Sequence, residues 1–203
     1  MKDFLTPTYM LGHYWEVTPA FLQERGISAL LIDIDNTLAP YEQPLPDERI
    51  RAWFRDLHEN GIKTALVSNN HPPRVEEFNR SLGLLAYADS GKPGKKTLLL
   101  AMRELGVTPG ETAMMGDQLL TDSYAGKHIG LPSIIVPPIK DKTNLFFRMK
   151  RWCERPFIRK YAKENGWQEW MSFWSVLYFY GFIEVPLFFC ESCRLLFFFA
   201  YPF

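Results

Sequence analysis

Four short polar clusters concentrate side chains suited to nucleophilic, acid–base and cation-binding chemistry. The first is Asp33-Ile34-Asp35-Asn36-Thr37-Leu38. In an extended segment Asp33 and Asp35 project to the same side. Neighbouring carboxylates repel unless a cation, or a proton shared with substrate, relieves them. The pair therefore suits a nucleophile beside a general acid and base, with a hard cation between. The second cluster is Ser68-Asn69-Asn70, whose hydroxyl could donate to a phosphoryl oxygen, although Ser-Asn-Asn is also ordinary turn composition. The third is Ser90-Gly91-Lys92-Pro93. A lysine there could neutralise a transferring phosphoryl group, whereas a lone lysine is usually a surface residue. The fourth, Gly116-Asp117-Gln118-Leu119-Leu120-Thr121-Asp122, offers two more carboxylates, a set that suits magnesium with its preference for a few carboxylates, water and phosphate oxygens. Asn36, Asn69 and Asn70 are the neighbouring candidates for substrate binding.

Each cluster follows a segment that reads as a buried strand. Residues 29–34, ALLIDI, form an apolar run ending in acids, and residues 63–68, KTALVS, form a second. Further strands are expected at 84–86, 112–115 and 133–136. Between them lie helical patterns at 47–60, 73–82, 96–105 and 123–129. In the first of these, Ile50, Trp53, Phe54 and Leu57 recur at three- and four-residue spacing. Alternating strands and helices with short links predict an α/β fold, a Rossmann-like three-layer sandwich with a parallel sheet. Ligands in such sheets sit beyond the carboxyl ends of the strands, where all four clusters fall.

The order DxDxT, Ser, Lys-Pro, GDxxxxD resembles the four motifs of haloacid dehalogenase (HAD) superfamily phosphatases. The resemblance implies roles residue by residue. Asp33 attacks phosphorus and becomes an aspartyl phosphate. Asp35 protonates the leaving oxygen and then activates water. Thr37 and Ser68 position the phosphoryl group, and Lys92 offsets charge. Asp33, the backbone carbonyl of Asp35 and Asp117 hold Mg2+, with Asp122 supporting them. The lead-in LTPTYMLGHYWEVTPAFLQERGISALLIDIDNTLAP, together with VSNN, GKP, GDQLLTD and VPPIKDKTNLFFRMKRWCERP, resembles the YqeG branch of class IIIA over residues 1–163. That branch is related to phosphatidylglycerophosphate phosphatases, which implies a lipid head group as substrate.

Asp35 and Ser68 stand 33 positions apart, and Ser68 and Lys92 stand 24 apart. Each interval is filled by one loop, one helix and one strand, which leaves no room for a cap domain. An uncapped site excludes water poorly by itself, so a head group on a bulky body is the expected substrate.

The chain's formal net charge is zero, and no nucleic-acid partner is expected from it. The charge is unevenly spread. Residues 140–163 hold nine Lys/Arg against two Asp/Glu, while residues 1–139 hold 13 against 17. Within the basic block, Arg148, Lys150, Arg151, Arg155, Arg159 and Lys160 alternate with Leu145, Phe146, Phe147, Trp152, Phe157 and Ile158. This pattern suits peripheral contact with an anionic membrane, contact with nucleic acid, or a solvated helical face packed on the domain. Pro156 is expected to interrupt any long helix there.

Residues 1–163 thus read as one phosphatase domain, with 27–139 as its catalytic core and 140–163 as a basic amphipathic segment. Residues 164–203 form an atypical tail. The last thirty residues contain twelve aromatics, and the longest uncharged stretch, 170–183, is 14 residues, short of the roughly 20 that span a bilayer. An interfacial anchor, a partner-binding tail and a reading-frame artefact all remain open. Cys153, Cys190 and Cys193 make no disulfide framework, and the start lacks a secretory pattern, so a cytoplasmic location is expected. The lone CxxC at 190–193 is weak evidence for metal or redox use. Three rival functions stand beside the lipid phosphatase: a phosphatase for phosphoproteins or nucleic-acid ends, a phospho-acceptor signalling module, and a non-catalytic scaffold. Asp35 argues against the signalling module, which needs no acid two residues past its acceptor. The complete set of polar residues argues against the scaffold.

Overall fold

The computed structural model of the protein describes residues 4–140 and 145–166. A six-stranded parallel sheet runs in the order β1-β6-β5-β2-β3-β4. Its strands are β1 (Tyr9–Met10), β2 (Ala29–Ile32), β3 (Lys63–Val67), β4 (Leu85–Tyr87), β5 (Thr112–Gly116) and β6 (Ser133–Ile135). The helices are α1 (Pro19–Gln23), α2 (Glu48–Glu59), α3 (Pro72–Asn79), α4 (Lys96–Leu105), α5 (Tyr124–His128) and α6 (Leu145–Glu164).

Alternation along the central strands builds both layers. Leu30 and Ile32 of β2 face a core completed by Trp53, Phe54 and Leu57 of α2 and Phe78 of α3. Leu31 faces the opposite side, against Leu98, Ala101 and Met102 of α4 and Ala125 of α5. Fully buried β2 thus reads as a continuous apolar run, as central parallel strands do. The α2 positions expected from periodicity, Ile50, Trp53, Phe54 and Leu57, are all buried. Asp47 caps that helix by accepting from the Ile50 N–H at 2.9 Å.

β2 pairs with β3 on one side and β5 on the other. The chain moves outward through β3 and β4, then crosses back to β5 and β6. The reversal opens a crevice at the carboxyl end of β2, the switch point at which open α/β sheets bind ligands. Only a loop, α2 and β3 lie between Asp35 and Ser68, and only α3 and β4 lie between Ser68 and Lys92. No cap domain stands in either interval.

Two features depart from the sequence expectations. β1 adds a sixth strand, with Tyr9 opposite Ile134 and Met10 opposite Ile135. Two residues are too short a run for period-based reading. The basic segment forms one helix, α6, which runs through Pro156. Pro156 has no N–H to offer the Trp152 carbonyl one turn back, and Trp152 stands 67% exposed, so the loss falls on the helix's outer face rather than in the core. α6 packs Ile158 and Tyr161 against Met10, Leu119 and Ile135, and the Tyr161 hydroxyl accepts from the Met10 N–H at 3.2 Å. The CxxC of Cys190 and Cys193 and the aromatic stretch lie outside the described residues. Among the described residues no helix is long and apolar enough to cross a membrane.

Candidate active site

Asp33 follows β2 directly, and its N–H donates to the Met115 carbonyl of β5 at 2.9 Å, which continues the ladder beyond the strand. The chain then turns sharply. The N–H groups of Leu38 and Ala39 both donate to the Ile34 carbonyl, at 2.9 and 3.2 Å. Asn36 takes a φ of 65°, a left-handed conformation that asparagine tolerates better than most residues. Asp33 and Asp35 end up on the wall of one cleft, shared with Ser68, Asn69, Asn70, Lys92 and Asp122. Asn36, Thr37 and Asp117 lie behind that wall. Thr37 Oγ1 donates to Asp33 Oδ2 at 3.4 Å, and Asn36 serves the turn, its N–H donating to Ala39 O at 2.8 Å.

Lys92 is buried between two carboxylates. Its Nζ donates to Asp33 Oδ1 at 2.7 Å and lies 2.7 Å from Asp122 Oδ1. Burial pulls the ammonium down, but Asp122 and Asp33 outweigh it, and its pKa is raised. Burial pushes the Asp33 carboxyl up to about 8, against the pull of Lys92. Burial likewise raises Asp117 to about 6, with Arg151 opposing.

Asp35 is oriented by two neighbours on the far side of the cleft. Arg74 Nε donates to its Oδ1 at 3.2 Å, and Asn70 Nδ2 donates to its Oδ2 at 2.9 Å. Asn69 is committed to the lysine loop. Its Oδ1 accepts from Ser90 Oγ at 2.7 Å and from the Lys92 N–H at 2.8 Å, while its Nδ2 donates to the Lys92 carbonyl at 2.8 Å. Two residues expected to bind substrate thus also align the catalytic candidates. Ser68 Oγ accepts from the Asn70 N–H at 3.0 Å, which leaves its own proton to donate.

Asp33, Asp117 and Asp122 bring carboxylate oxygens within 4.8 Å of one another, all buried. Asp122 Oδ1 accepts no well-directed hydrogen bond despite the nearby ammonium. Three crowded hard oxygens, one of them under-satisfied, fit a hard divalent cation. The carboxylate of Asp35 is outside this group, so only its backbone carbonyl is left for a cation.

Gly116 explains its place before Asp117. A Cβ there would overlap the Asp122 side chain, which a single π-helical turn, Leu119–Ser123, folds back against β5. Gly116→Ala is expected to push Asp122 off Lys92 and lower kcat by roughly tenfold or more. Phosphate-release kinetics check this, and an unchanged kcat would show that the close approach is dispensable.

Several residues of the site carry no signal in the sequence. Tyr41, Gln118, Thr121 and Lys150 also line the cleft. Arg74 and Arg151 hold two of its carboxylates. Lys150 and Arg151 come from the basic segment, whose charge was legible but whose direction was not. Lys150 Nζ donates to Gln118 Oε1 at 2.5 Å, and Arg151 pairs with Asp117.

A family model for haloacid dehalogenase-like hydrolases matches residues 5–130. The Bacillus subtilis (strain 168) protein named "Probable phosphatase YqeG" is 32% identical over 170 residues, covering 84% of this chain and 98% of that protein. The glyceraldehyde 3-phosphate phosphatase of Pyrococcus furiosus is 24% identical over 119 residues, covering 54% of this chain and 49% of that enzyme. Among solved structures, the deoxy-D-mannose-octulosonate 8-phosphate phosphatase of Haemophilus influenzae superposes with a TM-score of 0.46 at 17% identity, over 55% of this chain and 69% of that one.

Proposed function

Because the chain belongs to the haloacid dehalogenase-like hydrolase family, as a phosphatase of the YqeG kind, we propose that it uses magnesium and an aspartyl-phosphate intermediate on Asp33 to hydrolyse phosphatidylglycerophosphate. The observation that carries this reading is the cleft itself. Asp33 and Asp35 share one wall, Lys92 sits 2.7 Å from Asp33, and Asp35 is held in place from the other side by Arg74 and Asn70.

In the first half-reaction an oxygen of Asp33 attacks phosphorus in line. The bond to the leaving oxygen breaks, and that oxygen takes a proton from Asp35. Asp35, now a carboxylate, then takes a proton from water. The resulting hydroxide attacks the phosphoryl group, the bond to Asp33 breaks, and inorganic phosphate leaves. Lys92 and the Ser68 hydroxyl stabilise the charge on the phosphoryl oxygens. Thr37 orients Asp33. Burial helps Asp33 act: it disfavours the bare carboxylate, so the ion is a reactive nucleophile once formed. Asp33, Asp117, Asp122 and the Asp35 carbonyl would hold magnesium, which supplies positive charge to the phosphoryl group when bound.

Two features support a lipid head group. Among the described residues no cap closes the cleft, and α6 stands at its edge. α6 turns Lys150 toward the cleft and leaves Met149 56% and Trp152 67% exposed. A basic helix with exposed apolar side chains beside an active site suits peripheral docking on an anionic bilayer at the cytoplasmic face. On this reading α6 belongs to the working unit, residues 1–163. Small phosphate monoesters are the alternative substrates, since the Pyrococcus relative is a glyceraldehyde 3-phosphate phosphatase.

The deciding experiment is a phosphate-release screen. It compares phosphatidylglycerophosphate in mixed micelles with glyceraldehyde 3-phosphate, phosphoglycolate and a phosphopeptide. The lipid is expected to show a kcat/KM higher by roughly tenfold or more. A preference for a soluble monoester would overturn the lipid assignment and leave the chemistry standing. Magnesium is expected to be required and calcium to inhibit, because calcium takes more oxygens at longer distances and would engage both oxygens of Asp33. Full activity in excess chelator would refute the cation assignment.

A further inference from the structure

Arg151 reaches from α6 into the acidic cluster and stands between two buried carboxylates. Its Nη1 donates to the Asp117 carbonyl at 2.6 Å, and its Nη2 pairs with Asp117 Oδ2. The same Nη1 lies 3.1 Å from Glu154 Oε2, one helical turn further on. Glu154 is fully buried and fixed, its Oε1 accepting from the Leu120 N–H at 3.2 Å. Asp117 belongs to the set of oxygens that converge within 4.8 Å; Glu154 does not. The guanidinium therefore covers an oxygen on a cation-ligand candidate and touches a second carboxylate outside that group.

We propose that Arg151 is a positioning residue that competes with the divalent cation for Asp117. It neutralises the buried carboxylate until a cation takes that oxygen, and then pairs with Glu154 alone. The inference rests on the magnesium reading above. Three facts support it. A dication and a guanidinium on one carboxylate repel strongly in a buried site. Arg151 already touches the partner it would keep, so it need not become an unpaired buried cation. Glu154 is anchored to the turn that carries Asp122, so the displaced guanidinium stays beside the site. Cation affinity is thereby set from a helix some thirty residues beyond the nearest motif.

The test is calorimetric titration of the full chain with magnesium chloride, for the wild type, Arg151→Gln and Arg151→Lys, with melting temperatures in chelator and in saturating magnesium. Arg151→Gln is expected to bind magnesium roughly tenfold tighter or more. It should melt well below the wild type in chelator, where Asp117 has lost its partner. In saturating magnesium most of that deficit should disappear, because binding to the folded state adds stability as affinity rises. Arg151→Lys keeps the charge without the fork and should fall between the two, so it carries the test if the glutamine variant does not fold. An unchanged or weaker magnesium affinity in both variants would overturn the competition and make Arg151 a support for Asp117. An equal loss of melting temperature with and without magnesium would do the same. A wild type that shows neither binding heat nor a melting shift, yet hydrolyses substrate in chelator, would remove the cation reading and this inference together.

Discussion

Asp33→Asn is expected to abolish turnover, by on the order of 10⁴-fold or more, while the fold stays intact. The amide keeps the side chain's shape, its oxygen can still accept from Lys92 and its NH2 can donate to the Thr37 hydroxyl, but it cannot attack phosphorus. Stability should move the other way. Burial raises the Asp33 carboxyl from 3.8 to about 8. A carboxyl raised on folding favours the unfolded state progressively as pH climbs from the lower value to the higher, because the unfolded chain sheds that proton first. The asparagine variant escapes this penalty. In chelator its melting temperature should match the wild type near pH 4 and exceed it increasingly up to about pH 8. Phosphate release and thermal melts across that range check both parts. Substantial turnover by the purified variant would sink the covalent mechanism, and a melting gap that shrinks with rising pH would contradict the raised carboxyl. Asp35→Asn removes the acid and base instead and should cost about 10²- to 10⁴-fold.

Lys92→Met should damage both activity and stability. It leaves Asp122, and Asp33 wherever that carboxyl is ionised, buried without their shared cation, and breaking a buried pair from one side costs about 3–5 kcal/mol. Activity should fall by roughly 10²- to 10³-fold, since the phosphoryl charge loses a fixed donor. The double variant Asp33→Asn with Lys92→Met gives a sharper reading. It removes one carboxylate along with the lysine, so its stability should be higher than the sum of the single effects allows. Simple additivity in melting experiments would mean that the 2.7 Å contact contributes little.

Asp33 and Asp117 show how much of the site is legible in the sequence. The apolar run 29–32 leads straight into Asp33, and Gly116-Asp117 closes another. A fully buried strand has few choices of composition, so the strands could be read from local pattern. In a parallel sheet all carboxyl ends lie on one side, so polar residues at those ends had to assemble. The convergence of Asp33, Asp35, Ser68, Lys92 and Asp122 on one cleft follows from order and spacing alone.

Partners that come from unrelated elements were not legible. Arg74 meets Asp35 from a distance of 39 positions, and Arg151 meets Asp117 from 34. Nothing in the spacing marks either arginine out from the chain's other basic residues. Their reach depends on how α3 and α6 pack. Asn69 and Asn70 read as groups for substrate; they line the cleft, and their hydrogen bonds to the Lys92 loop and to Asp35 are a second role that the sequence does not show. The basic segment is the clearest case. Its composition suits a membrane contact or a face packed on the domain without saying which residues turn inward, and Pro156 reads as a break in the helix. Packing of Ile158 and Tyr161 on the β1–β6 edge holds the helix through the proline and turns Lys150 and Arg151 inward, while Met149 and Trp152 stay exposed. The chain order therefore determined which chemistry assembles at the strand ends, because strand burial and parallel topology are local and periodic properties. Only tertiary packing decided how each carboxylate is neutralised, because charge pairing in a buried site depends on the rotation and docking of helices that carry no sequence record of what they face.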